Sequence, residues 1–207
     1  MFPHVLYCVT NNPIIEIKDR SSERPMENRT RTITRVALFA AVMSISAFVR
    51  IPLGTVPLTL QSAAALVTGY CLGPVHGAYA LLLYTAVGLT GIPVFASGGG
   101  PAYVLSPTFG YIVGFTVCAS MTGFLARFNT RGSILFAYLI MIVSLTGIYL
   151  PGIAWLIIAM HWIADAPLAA STLLKAGLFI PLAGDLITTL PAALVAVRIR
   201  KSLQHTR

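Results

Sequence analysis

IPLGTVPLTLQSAAALVTGYCLGPVHGAYALLLYTAVGLTGIPVFASGGGPAYVLSPTFGYIVGFTVCASMTGFLA, residues Ile51–Ala126, runs for 76 positions without an Asp, Glu, Lys or Arg. About 20 apolar residues cross a bilayer as a helix, so this one stretch predicts several spans joined by uncharged turns. A second charge-free stretch covers Gly132–Ala164. Over the whole chain of 207 residues, 57% are hydrophobic and only 10% charged, and the mean hydropathy is +0.83. A soluble domain carries about a quarter charged residues. The composition excludes an ordinary cytosolic enzyme, a disordered protein and a nucleic-acid binder, in spite of a net charge of +8. It predicts an all-α, polytopic membrane protein.

Glycine and proline punctuate the apolar stretches and set the expected spans. Span 1 is predicted over about Ile33–Val49, between Arg35 and Arg50, and span 2 over about Leu60–Leu72. Gly73-Pro74 ends span 2, and Pro74 opens span 3, about Val75–Leu89. Span 4 covers about Thr108–Ala126. Span 5 covers about Ser133–Met160 with an interruption at Pro151-Gly152, and span 6 about Leu178–Val197. This gives six transmembrane helices. Residues 1–32 read as a solvated N-terminal tail, 33–200 as the membrane domain and 201–207 as a basic C-terminal tail. Met26 is an ordinary start for a membrane protein of this kind, so the first 25 residues are expected to be dispensable.

Orientation follows from the distribution of Lys and Arg. With the N-terminus inside, 12 of the 14 basic residues fall on the cytoplasmic side, leaving only Arg50 and Lys175 outside. Both termini are therefore expected in the cytoplasm, in the inner membrane of a bacterium. Three Gly- and Pro-rich segments then share the outer face: Ile51–Thr59, Gly91–Pro107 and His161–Gly177. Simple connection is the plain reading of each. Three on one face point instead to an outward-facing ligand pocket under a lid.

Motifs for catalysis are missing. No G-x-x-x-x-G-K-[ST] is present, and Tyr103 stands where G-x-G-x-x-G would need its last glycine. Cys8, Cys71 and Cys118 have no metal-ligand or disulfide spacing, and the four His form no pairs. The sequence predicts a binder or carrier with no cofactor and no metal, and not an enzyme.

One carboxylate is expensive where it stands. Asp185 lies inside span 6, and a centrally placed Asp costs about 2.5–3.5 kcal/mol on insertion scales. Such a residue faces a cavity or a partner, or else sits at a helix end for structural reasons. Facing a cavity, it would accept charge-assisted hydrogen bonds from N–H donors. Thr188 shares its helix face. Gln61, at the start of span 2, is a second polar candidate, with interfacial anchoring as the alternative. Tyr84, Phe95, Tyr103 and Tyr111 surround the outer half of spans 3 and 4. Taken singly they read as belt aromatics; together with Ser97 they could line an apolar pocket. Ala37 and Ala41 make an A-x-x-x-A step on span 1, and Gly69–Gly73 and Gly110–Gly114 make G-x-x-x-G steps, all suited to close helix contacts.

The ordered set of motifs resembles the BioY family, the biotin-specific S components of energy-coupling factor (ECF) transporters. The residues that carry the resemblance are Ile51-Pro52-Leu53-Gly54-Thr55-Val56-Pro57-Leu58-Thr59-Leu60-Gln61, Leu72-Gly73-Pro74 with Gly77, and Tyr84 with Gly88 and Gly91-Ile92-Pro93-Val94-Phe95. Gly99-Gly100, Ser106-Pro107-Thr108-Phe109-Gly110-Tyr111 and Gly184-Asp185-Leu186-Ile187 complete it. It covers about Ile33–Arg200. The resemblance implies six helices, capture of biotin from outside, and a pocket capped by the loop after span 1, which adds Thr55 to the ligand-binding candidates. It also implies partners: a coupling transmembrane protein and two ABC-type ATPases, with docking through Ala37 and Ala41. Two departures stand out. Thr188 occupies the family's lysine position, and Ser97 stands where the family often has an amide.

Biotin suits the residues. Its ureido ring offers two N–H donors and a carbonyl on an apolar body. Its carboxylate calls for a cation, and Arg50 and Lys175 are the outer ones, unless both merely snorkel to the interface. The alternatives are an S component or solitary carrier for another small metabolite and, from a different class, an integral-membrane enzyme.

Overall fold

Gly73 divides the first charge-free stretch into two antiparallel helices, α2 (Gln61–Leu72) and α3 (Pro74–Leu89). Its φ of +83° is the left-handed region open to glycine. Pro74, with no N–H to satisfy, begins α3 directly after it. The computed structural model describes residues 13–51, 57–163 and 174–205. The other helices are α1 (Pro13–Ser46), α4 (Phe109–Leu125), α5 (Ile134–Ser144), α6 (Thr146–Ile158) and α7 (Ile180–His205). The chain divides into two units, 1–35 and 36–207, and the second holds everything that follows. α1 begins at Pro13, well upstream of the expected Ile33, so the charged stretch before span 1 is helical.

α4 is the central helix, packed against α2, α3 and α6. Glycines permit the approach on both sides. On one side Gly110 faces Pro151 and Trp155, and Gly114 faces the backbone of Gly147 and Ile148. On the other, Gly69 of α2 lies against the backbone of Ala119, and Gly123 against Gly73 and Pro74. The G-x-x-x-G steps thus mark real crossings, where a Cβ would meet backbone and the helices would have to separate. α7 closes the bundle against α2 and α5.

Among the described residues three runs are long and apolar enough to cross a membrane: Phe109–Phe128, Ile134–His161 and Lys175–Leu203. α3 is apolar and shorter, at 16 residues. Two helix irregularities depart from the expected positions, and both trace to proline. The break in the Ile134–His161 run, expected at Pro151-Gly152, falls at Leu145, between α5 and α6, and Pro151 lies inside α6. Pro151 has no N–H for the Gly147 carbonyl and its ring crowds that group, so the ladder tightens upstream, where Ile148 N bonds Leu145 O at 2.9 Å. In the last span, a π-helical turn at Lys175–Phe179 precedes Pro181.

The segment after α1 is not wholly irregular. Arg50–Ile51 (β1) pairs antiparallel with Leu58–Thr59 (β2), with Arg50 opposite Thr59. The segment Gly91–Pro107 contains a bridge between Phe95 and Gly98 and a 3-10 helix at Pro101–Leu105.

Candidate functional site: a carboxylate and an amide facing one cavity

Asp185 sits one turn into α7, buried, with 2% of its surface exposed. A carboxylate taken out of water must be hydrogen-bonded to persist there. The Tyr149 hydroxyl on α6 donates to Asp185 Oδ2 at 2.6 Å, and Ser62 on α2 is a second interacting neighbour. The adjoining threonines turn elsewhere: Thr189 and Thr188 donate to the backbone carbonyl of Asp185, at 2.6 and 3.2 Å.

The wall beside Asp185 follows from Pro181. Lacking an N–H, Pro181 leaves the carbonyl of Gly177, four residues earlier, without its helical donor. Tyr111 Oη fills the vacancy at 2.8 Å. Its ring passes over Gly152, where a Cβ would strike it, and meets Tyr149 edge-on at 6.3 Å. Gly110 likewise admits Trp155, whose Nε1 donates to Ser106 O at 2.9 Å and so ties α6 to the start of α4. Two tyrosines and the carboxylate are thereby fixed by four different segments.

Gln61 forms the facing wall. Its Nε2 donates to Tyr84 Oη at 2.6 Å, and its Oε1 accepts from Thr59 Oγ1 at 3.3 Å. Tyr84 Oη in turn donates to Val94 O at 3.3 Å. Phe95 packs edge-on against Tyr84 at 5.4 Å and tilted on Tyr103 at 4.7 Å, its ring seated where Gly88 has no side chain. Tyr103 Oη and Ser106 Oγ each bond the Thr108 hydroxyl at 3.0 Å. The Gly91–Pro107 segment is thus sewn to α2, α3 and α4.

Between the walls lies a cavity of about 510 Å³ including its mouth. Ile112, Phe115 and Ile148 make its apolar floor, and hydroxyls of Thr59, Ser62, Thr108, Tyr103, Tyr111 and Tyr149 surround it with Gln61 and Asp185. No cation lines it among the described residues. Such a surface holds an apolar body and satisfies a few donors and acceptors at fixed points. Among the described residues no group of three or more His, Cys, Asp and Glu is placed to hold a metal.

Of the residues expected from sequence, Gln61, Tyr103, Tyr111 and Asp185 come together on the cavity wall. Tyr84 and Phe95 stand behind it as supports. Ser97 is exposed beside Ala96, and it is Ala96 that lines the cavity. Thr188 is spent on its own helix. Thr55 lies outside the described residues. Ala37 and Ala41 are exposed on α1, while Phe39, Ala40, Met43 and Ala47 are buried. Arg50 and Lys175 are exposed and line no part of the cavity. Tyr149, Ser62 and Thr108 were not anticipated. The need of a buried Asp185 for a hydroxyl donor was the signal for Tyr149 and Ser62, but many hydroxyls were available to meet it.

A model of the BioY family matches residues 18–205. A probable biotin transporter BioY of Lysinibacillus sphaericus is 32% identical over 87% of this chain and 92% of its own length. The biotin transporter BioY of Thermotoga maritima is 35% identical, over 83% and 96%. Among solved structures, the S-component for biotin from an ECF-type ABC transporter superposes with a TM-score of 0.72 at 26% identity, covering 84% of this chain and 93% of that one. Family motif, nearly full-length relatives and a shared helical bundle converge, and the chain belongs to the BioY family.

Proposed function

We propose that the chain is the biotin-binding S component of an ECF-type transporter, serving biotin uptake. It is a transport component and not an enzyme. The observation that carries the ligand is Asp185, buried against Tyr149 at the wall of an otherwise apolar and hydroxyl-lined cavity. A ureido ring brings two N–H donors, and a carboxylate with lone pairs to spare is their natural acceptor. Gln61 and the hydroxyls serve the carbonyl, and Ile112, Phe115 and Ile148 take the apolar body. Gln61, Tyr111, Asp185 and the supporting Tyr84 and Phe95 are the ligand-binding set. Thr55, in the loop after α1, is proposed with them, and Ser97 and Thr188 join the set only if they move to the ligand. The test is titration calorimetry of the purified protein with biotin, beside an Asp185→Asn variant shown to be folded. Tight binding by the wild type and a loss of at least tenfold, about 1.4 kcal/mol, in the variant is the expected result. Wild-type affinity in a folded Asp185→Asn would remove Asp185 from the site.

The same reading gives the chain six spans with both termini in the cytoplasm, in a bacterial cell membrane, as a membrane domain over 33–200 between two short tails. The bias of Lys and Arg supports this orientation. Ala37 and Ala41, exposed on α1, are the proposed docking step for a coupling transmembrane protein that works with two ATPases. A second ligand reading rests on one feature: no cation lines the described cavity, and Thr188 offers none. A related metabolite without a carboxylate would fit that wall as well. Competition of such an analogue with biotin in the same titration separates the two.

A further inference from the structure

At the far end of the bundle from Asp185, three apolar runs meet. Phe109–Phe128 and Lys175–Leu203 finish there, and Ile134–His161 starts there. Asn129 builds the corner. Buried, it donates Nδ2 to Tyr70 Oη and to Ser133 O, each at 2.8 Å, and accepts from Ser133 N at 3.0 Å. Gly132 completes the turn with a φ of +64°, and a Cβ there would press on the Lys201 stem.

Around this corner lies a recess of about 700 Å³ including its mouth, lined by Arg127, Arg131, Arg200 and Lys201 with Tyr70 and Thr130. Among the described residues no acidic one lines it. Arg200 is locked in place as a wall. Its Nη1 donates to Ala126 O, at the end of α4, at 2.8 Å, and its guanidinium lies 5.0 Å from the centre of the Tyr70 ring. Arg127, Arg131 and Lys201 are exposed. Asp185 is the sole acidic residue whose side chain is described, and it faces the other cavity.

Basic residues at the ends of spans often do no more than set orientation. Here they do not splay apart on a flat surface: they come from two segments, the α4–α5 connection and the end of α7, and converge on a concave site built around Asn129. We propose that this recess binds the phosphate group of an anionic lipid headgroup. Guanidinium forks and an ammonium supply the donors that phosphate oxygens accept. A negatively charged ligand is called for, because four cations face the recess and no carboxylate does among the described residues. The site lies where three spans end, which is headgroup depth and not bulk solvent. The inference is independent of the ligand in the other cavity.

The full-length protein, in detergent, would be exchanged with vesicles of phosphatidylcholine containing phosphatidylglycerol, and the retained lipid weighed by native mass spectrometry. Phosphatidylglycerol should be retained in preference to phosphatidylcholine. Each of Arg127→Gln, Arg131→Gln and Lys201→Gln should weaken that preference by about fivefold, in line with the worth of one basic residue at a membrane surface. The triple variant should lose it while keeping the wild-type elution volume and helical circular dichroism, which serve as the check on folding. Should the triple variant not fold, the Lys201→Gln single variant carries the same test. Equal retention by wild type and folded variant, or no preference in the wild type, overturns the proposal. A parallel melt in lipid-free detergent with inorganic phosphate identifies the source: no stabilisation supports a lipid, whereas stabilisation equal to that by phosphatidylglycerol assigns the site to soluble phosphate and overturns the lipid assignment.

Discussion

Tyr149 and Tyr111 hold the carboxylate wall in different ways, and separate substitutions distinguish them. Tyr149→Phe removes the donor to Asp185 Oδ2 and leaves a buried carboxylate short of a partner. The expected cost is about 1–3 kcal/mol of stability, the usual penalty for an unsatisfied buried group, together with weaker biotin binding, because the carboxylate is then free to rotate away. Thermal melts in detergent and a biotin titration read the two effects. Tyr111→Phe instead strands the Gly177 carbonyl that Pro181 left open. It should destabilise to a similar degree and leave the Tyr149–Asp185 bond in place, so the loss of affinity should be smaller. A larger loss in Tyr111→Phe would show that its hydroxyl prefers the ligand to Gly177. Asp185 was legible in the sequence because a lone carboxylate in an apolar run is costly. Tyr149 was not, since hydroxyl donors abound in these helices and only the fold says which one reaches 36 residues ahead.

At the scale of elements, glycine and proline gave away most helix ends: Gly73-Pro74 at the α2–α3 turn, and the Gly91–Pro107 segment between α3 and α4. They misled where a proline acts at a distance. Pro151 displaces the irregularity to Leu145, and Pro181 spreads it back over Lys175–Phe179, because the carbonyl that a proline orphans lies a turn earlier. The short β1–β2 pair was hidden because two-residue strands have no periodicity to read. Helix α1 carries its own test. Its inward face is Phe39, Ala40, Met43 and Ala47, which leaves Ala37 and Ala41 one turn apart on the outside. Trp at both positions should leave biotin affinity of the solubilised protein unchanged, since neither lines the cavity. Uptake in cells that supply the energising module should fall if a coupling protein packs on that face. Normal uptake with both tryptophans in place would move the docking surface elsewhere.

For the molecule as a whole, the two ends of the bundle differ in chemistry, and that difference fixes its expected orientation. One end gathers Gln61, Tyr111 and Asp185 under the Gly91–Pro107 segment; the other gathers Arg127, Arg131, Arg200 and Lys201. In the proposed orientation the basic end lies in the cytoplasm, and the cavity should then open outward to capture biotin. Single cysteines in a background freed of the three native ones test this with a membrane-impermeant thiol reagent on intact cells. Ser97→Cys, exposed, should label from outside, and Arg131→Cys should label only after the cells are opened. Ala96→Cys adds the ligand to the same measurement. Ala96 lines the cavity and its neighbour Ser97 does not, so biotin should slow labelling at 96 and leave 97 untouched. Labelling of 131 from outside would invert the topology. Equal protection of 96 and 97 would mean that the whole segment closes over the ligand, and would then draw Ser97 into the site after all.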